Sequence, residues 1–183
     1  MKKIVLTFGL ISGVLCSVLL TATVPFADRI GFDKGLVVGY TVIVASFLLV
    51  FFGIRSYRDN VGNGQITFGR AFAVGISITV ITCIFYVVTW EIMYFIFMPD
   101  FMDKYSAHVV EKARAAGASP AAIQAKLQEV QKSKALYDNP LINAAMTFIE
   151  PFPVGLVITL ISAAVLRKKA QAQSAQSPLP VSN

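Results

Sequence analysis

Four stretches of this chain, residues 4–27, 36–54, 71–97 and 141–166, contain only two charged side chains between them, Glu91 and Glu150. A helix needs about 20 predominantly apolar residues to cross the hydrocarbon core of a bilayer, and each stretch meets or approaches that length. The expected architecture is therefore all-α: an integral membrane four-helix bundle. Between spans three and four lies the only sizeable polar segment, 99–139, expected as an extracytoplasmic helical hairpin.

Composition agrees. Hydrophobic residues make up 56% of the chain and charged residues only 14%, with a mean hydropathy of +0.68. A soluble domain carries about a quarter charged residues. The formal charge of +6 comes mostly from clusters beside the apolar runs, where membrane topology explains it. No basic face interleaved with aromatics is present, so no nucleic-acid partner is expected. Cys16 and Cys83 sit inside apolar runs as small buried hydrophobes. Their spacing suits neither a disulfide framework nor a metal, and no cofactor is expected.

The first run follows Lys2 and Lys3 and exceeds the roughly 7–15 apolar residues of a signal peptide, so it is expected to stay as an uncleaved span. Gly9, Gly13, Ser17 and Thr21 recur every fourth residue, a pattern that lets helices approach closely. Asp28 to Gly35 is expected as a short polar connection, and Gly35 with Gly39 forms another small pair at the head of span two.

The loop Arg55 to Arg70 is rich in turn formers at Asn60-Val-Gly62-Asn63-Gly64, which predict a tight reversal. Thr67 is placed to cap the next helix. Arg55, Arg58 and Arg70, with the loop amides, are candidate contacts for a lipid headgroup or another anion. The simpler reading is a cytoplasmic hairpin whose arginines set topology. In 99–139, Gly117-Ala-Ser119-Pro120 reads as a helix end, an N-cap and a first-turn proline. His108 has no second histidine or cysteine nearby and is expected as a surface residue. The tail 170–183 is rich in Ala, Gln, Ser and Pro and is expected to be a disordered cytoplasmic extension.

Glu91 lies roughly 10 Å of helix inside Met98-Pro99, and Glu150 roughly 14 Å inside Pro140. If spans three and four are antiparallel, both acids enter from one side at similar depth. Pro151 and Pro153 free backbone carbonyls beside Glu150. Glu91, Glu150, Pro151 and Pro153 are the candidate intramembrane acid site.

Lys2, Lys3, Arg55, Arg58, Arg70, Arg167, Lys168 and Lys169 fall on one side against a single acid, Asp59. Both termini are expected inside, at the inner membrane of a bacterium.

Several motifs carry a resemblance: Gly53-Ile-Arg55-Ser-Tyr57-Arg58-Asp59, Asn63-Gly64-Gln65-Ile66-Thr67-Phe68 with Gly75, Trp90-Glu91, Glu150-Pro-Phe-Pro153-Val-Gly155, and Ile161-Ser162-Ala163 before Arg-Lys-Lys. Together they resemble an uncharacterised four-span family of bacterial membrane proteins, catalogued only as a domain of unknown function and frequent among Bacteroidetes-type bacteria. The resemblance implies four spans and an inner-membrane location, and it brings no activity. The expected role is a structural, accessory or interaction subunit, with the lipid bilayer and a homo-oligomer or membrane-protein partner as its contacts. The alternative is a small proton- or cation-coupled carrier using Glu150 and Glu91. The chain is not expected to be an enzyme: no intramembrane histidine pair, Ser/Lys dyad or metalloprotease motif is present.

Overall fold

The computed structural model describes residues 1–168, with Ala27 and Asp28 described by their backbone alone. Lys169 and the expected disordered tail, 170–183, lie outside the described residues. Among the described residues seven α-helices follow in order: α1 Lys2–Thr23, α2 Ala27–Asn60, α3 Phe68–Ile92, α4 Phe101–Ala115, α5 Pro120–Tyr137, α6 Pro140–Ile149 and α7 Pro151–Leu166. A 3₁₀ turn, Val24–Phe26, joins α1 to α2, and a π-helical turn, Met93–Phe97, extends α3. Among the described residues four stretches are long and apolar enough to cross a membrane: Lys2–Phe26, Arg29–Asn60, Phe68–Phe97 and Pro140–Leu166.

The helices run past the apolar boundaries because caps, not hydropathy, end them. Thr67 caps α3 through Arg70 N–H at 3.3 Å, so that helix starts at Phe68 rather than Ala71. Asn139 caps α6 through Leu141 and Ile142 N–H at 3.0 and 3.4 Å. The expected polar connection from Asp28 to Gly35 is not a loop. It is helical except at Gly31, whose φ of 67° only glycine adopts easily. Its Asp33 is satisfied by the hairpin, where Oδ1 accepts from Lys112 Nζ of α4 at 2.5 Å. The last span is two helices, because Pro151 and Pro153 each lack the N–H that a continuous ladder requires.

The core joins α1, α2, α3 and α7 around Phe47, Ile43, Val50, Ile54, Val74 and Ile78. Small residues let the backbones come close. A Cβ on Gly13 would overlap the Phe85 ring, and one on Gly75 would lie 2.7 Å from Thr159 Cγ2. Hydroxyls fill the same seams. Ser12 Oγ donates to Ser46 O at 2.8 Å and lies 2.9 Å from Thr82 Oγ1. Thr79 and Thr159 share a hydrogen bond at 3.0 Å, and Thr89 Oγ1 lies 2.7 Å from Ser17 Oγ.

α4 and α5 pack against each other as a hairpin turned at Gly117, φ 72°. Ser119 caps α5 ahead of Pro120, as the sequence predicts. A second small core, Tyr94, Met102 and Val130 with Trp90, Phe101 and Tyr137, seats the hairpin on the π turn. Lys134 pairs with Asp103 across the hairpin, and that hydrogen bond holds its ammonium above the usual lysine range. The hydrogen bond from Lys104 holds the Asp100 carboxyl below the usual carboxylate range. His108 packs on Phe32 with the rings tilted at 35° and their centroids 5.2 Å apart, and its Nε2 lies 3.6 Å from Asp33. It is a docking residue of the hairpin.

Candidate functional site

The α6–α7 joint places Glu150 opposite α3, and Tyr86 of α3 is buried there. The Tyr86 hydroxyl donates to Glu150 Oε2 at 3.0 Å. Among the described residues it is the carboxylate's only hydrogen-bond donor. One turn earlier on α6, Thr147 donates to Asn143 Oδ1 at 3.0 Å, and Asn143 Nδ2 donates to Tyr137 O at 3.1 Å. Asn143, Thr147 and Glu150 thus form one polar stripe at helical spacing, running from the hairpin down to the joint. Burial pushes the Tyr137 phenol up, and the nearby Glu150 charge adds to the effect.

Among the described residues no hydrogen bond joins the two candidate acids. Glu91 has a buried Oε1 with no hydrogen-bond partner among the described residues, and Glu150 is satisfied by Tyr86 instead. The spans are antiparallel, but Glu150 stands level with Tyr86, about 7.5 Å of helix from Glu91. Tyr86 and Glu91 are five residues apart, about 140° around a helix. Glu91 continues the line of Ile84 and Val88, both exposed on the outer face of α3.

The arginine loop is ordered by its own backbone. Asn63 and Gly64 take positive φ, 48° and 77°, giving the predicted reversal. The amides of Gly62, Gly64 and Gln65 donate to carbonyls within the loop and its preceding helix. Ile66 N–H donates to Lys168 O at 3.0 Å, and Lys168 N–H returns to Ile66 O at 2.9 Å. These loop amides are therefore occupied, which corrects the expectation that they would face an anion. Arg58 Nε lies 2.7 Å from Asp59 Oδ1 and Arg55 Nε 3.7 Å from Asp59 Oδ2. Arg70 is exposed in the first turn of α3. The Ile66–Lys168 bridge adds Arg167 and Lys168 to this basic end.

Sequence reasoning missed Tyr86, Asn143 and Thr147. The i, i+4, i+7 spacing of Asn143, Thr147 and Glu150 was a readable signal. Tyr86 gave none, lying in an aromatic run indistinguishable from an interfacial belt. Among the described residues no group of three or more His, Cys, Asp or Glu side chains could hold a metal ion.

The fold and its polar seams define a multi-pass membrane protein built as a four-span helical bundle. Residues 7–168 match the family described as "Protein of unknown function (DUF4199)", and the chain belongs to that family. No curated protein and no solved structure matches it.

Proposed function

We propose that this protein is a non-enzymatic accessory or interaction subunit of a bacterial inner membrane. One observation carries the reading: several hydroxyls and the Glu150 carboxylate inside the spans join helix to helix. Ser12 with Thr82, Ser17 with Thr89, Thr79 with Thr159 and Tyr86 with Glu150 are all such pairs. A membrane offers no hydrophobic drive between helices, so small-residue packing and such bonds hold a bundle together. The outward faces, including Val14, Val18, Ile84, Val88 and Val157, are apolar and exposed, suiting lipid or a membrane-protein partner, a second copy among them.

The proposal places both termini in the cytoplasm and the α4–α5 hairpin outside. The support is the basic end formed by Arg55, Arg58, Arg70, Arg167 and Lys168, which suits anionic headgroups on the cytoplasmic leaflet. An impermeant maleimide applied to intact cells should label Ala121→Cys in the hairpin and spare Gln65→Cys in the basic loop. The native cysteines are both buried. The reverse pattern would invert the assignment.

The carrier reading is tested at Glu150. Glu150→Gln and Tyr86→Phe are expected to lower the melting temperature in detergent, each costing about 1 kcal/mol for one intramembrane hydrogen bond. Proteoliposomes of either variant or wild type are expected to show no pH-driven flux. A flux in wild type that Glu150→Gln abolishes while the fold survives would replace the accessory role with transport.

A further inference from the structure

We propose that the mouth of the α1–α3 seam, at the basic end of the bundle, binds the headgroup of an anionic phospholipid, with Lys2 and Arg70 closing on its phosphate. The inference deepens the accessory role and rests on its orientation, which turns this end to the cytoplasmic leaflet and its anionic lipids.

The packing of the seam fixes where the two cations stand. A Cβ on Gly9 would lie 2.8 Å from Ile81 Cδ1, and one on Gly13 would overlap the Phe85 ring. The Ser17 and Thr89 hydroxyls meet at 2.7 Å. All three pairs share one offset of 72 positions, so α1 and α3 run parallel in a constant register. Lys2 lies seven residues before Gly9 and Arg70 eleven before Ile81, each about 20° off the contact face of its helix. Lys2 is therefore roughly 10 Å, and Arg70 roughly 16 Å, beyond the contact of Gly9 with Ile81. Both are exposed, and both side chains are long enough to converge across the difference. Arg70 is thus more than a topology marker on a loop: the register sets it at the start of α1.

Among the described residues no acid answers these cations. Asp59 is the one carboxylate at this end, and it is taken up by Arg58 at 2.7 Å and Arg55 at 3.7 Å. Lys2, Lys3 and Arg70 make no ion pair among the described residues. Because α1 and α3 are parallel, the positive ends of their dipoles also lie side by side. Like charges at the mouth of a close-packed seam repel, and an anion between them turns repulsion into attraction.

A lipid phosphate suits the place as well as the charge. The mouth stands at the end of two membrane spans, where headgroups lie. Guanidinium and ammonium groups both donate to phosphate oxygens. Lys3, Leu6 and Leu10 follow at i, i+3 and i+7 on the flank of α1, and both leucines are exposed. A cation at the head of an open apolar strip matches a phosphate joined to an acyl chain. A zwitterionic headgroup would bring its own ammonium to a site already holding three cations, so the site selects net negative charge.

The test uses the full chain purified in a nonionic maltoside detergent, titrated with phosphatidylglycerol or phosphatidylcholine of matched chains and read by native mass spectrometry. Saturable binding of about one phosphatidylglycerol per chain is expected, with phosphatidylcholine at least about tenfold weaker. Lys2→Gln combined with Arg70→Gln should weaken phosphatidylglycerol by about tenfold or more. Arg55→Gln removes a charge from the same end but outside the seam, and should leave binding unchanged. Lys2→Glu sets an acid beside Arg70, so it should lose the lipid while melting no lower than wild type in detergent alone. A lower melting temperature for Lys2→Glu would mean that the mouth carries no unbalanced positive charge. Equal binding by wild type and the Lys2–Arg70 double variant would overturn the proposal. So would Arg55→Gln weakening the lipid as much, phosphatidylcholine matching phosphatidylglycerol, or inorganic phosphate displacing the lipid at equal concentration. A reversed maleimide pattern would overturn the orientation and leave binding in detergent intact, so the two readings fail separately.

Discussion

Gly155→Leu is expected to prevent recovery of a folded, monodisperse protein. A Cβ at Gly155 would overlap the Thr79 methyl and lie 2.8 Å from Phe47 Cζ, at the point where α2, α3 and α7 meet. The neighbours cannot yield independently. Phe47 is a fully buried core ring, and Thr79 is tied to Thr159 by its hydroxyl. Overpacking by single methylenes typically costs about 1–3 kcal/mol. Gly155→Ala should fall in that range, while leucine adds three more carbons to a site with room for none. Size-exclusion profiles and thermal unfolding in detergent measure the effect. Gly39→Leu is the matched control, since nothing stands within 4 Å of its Cβ, and it should melt like wild type. A normal profile for Gly155→Leu would mean that α3 and α7 do not pack as described.

Asn143→Ala is expected to loosen the junction between hairpin and bundle, at a cost of about 1–3 kcal/mol for stranded buried partners. Single interhelical bonds in membranes average only about 0.6 kcal/mol, so one lost bond would not reach that range. Asn143 makes two, and its loss strands both the Tyr137 carbonyl and the Thr147 hydroxyl. Hydrogen exchange should quicken at the end of α5 and the start of α6, with the lower α1–α2–α3 core unaffected. Asn139→Ala removes only the N-cap and should cost about 1 kcal/mol. If Asn143→Ala proves the milder of the two, the polar stripe is not what anchors the hairpin.

Much of the architecture was legible because membrane burial imposes a single demand on long segments. Span number, the Thr67 and Ser119 caps and the Asn63-Gly64 reversal each follow from local chemistry. Gly9 and Gly13 were also readable as contact points. Gly35 and Gly39 share the same spacing yet pack against nothing, because a small-residue stripe records permission to approach and not the approach itself. The acid site shows the same limit in another form. Helical rise counts depth from one chain segment alone and does not say which residues stand opposite: Glu150 is paired with Tyr86, five residues and about 7.5 Å of helix from Glu91. Which way each one faces depends on how α6 and α3 rotate against each other. That rotation is set by Asn143, Thr147 and Tyr86 together, and no stretch of sequence contains all three. The basic loop taught the converse lesson. Its arginines were found from composition, but its amides were consumed by carbonyls of the loop and the preceding helix, and one of them by a bridge to a residue 102 positions away.

That bridge gives the molecule a mechanical property. Two backbone hydrogen bonds clip Lys168 to Ile66, so the end of α7 is tied to the loop between α2 and α3. A pull on Lys168 loads the loop before it loads the α7 core. A modest force there would be felt first by Arg58, Asp59 and the turn at Asn63-Gly64, making the end of α7 a lever on the molecule's basic surface.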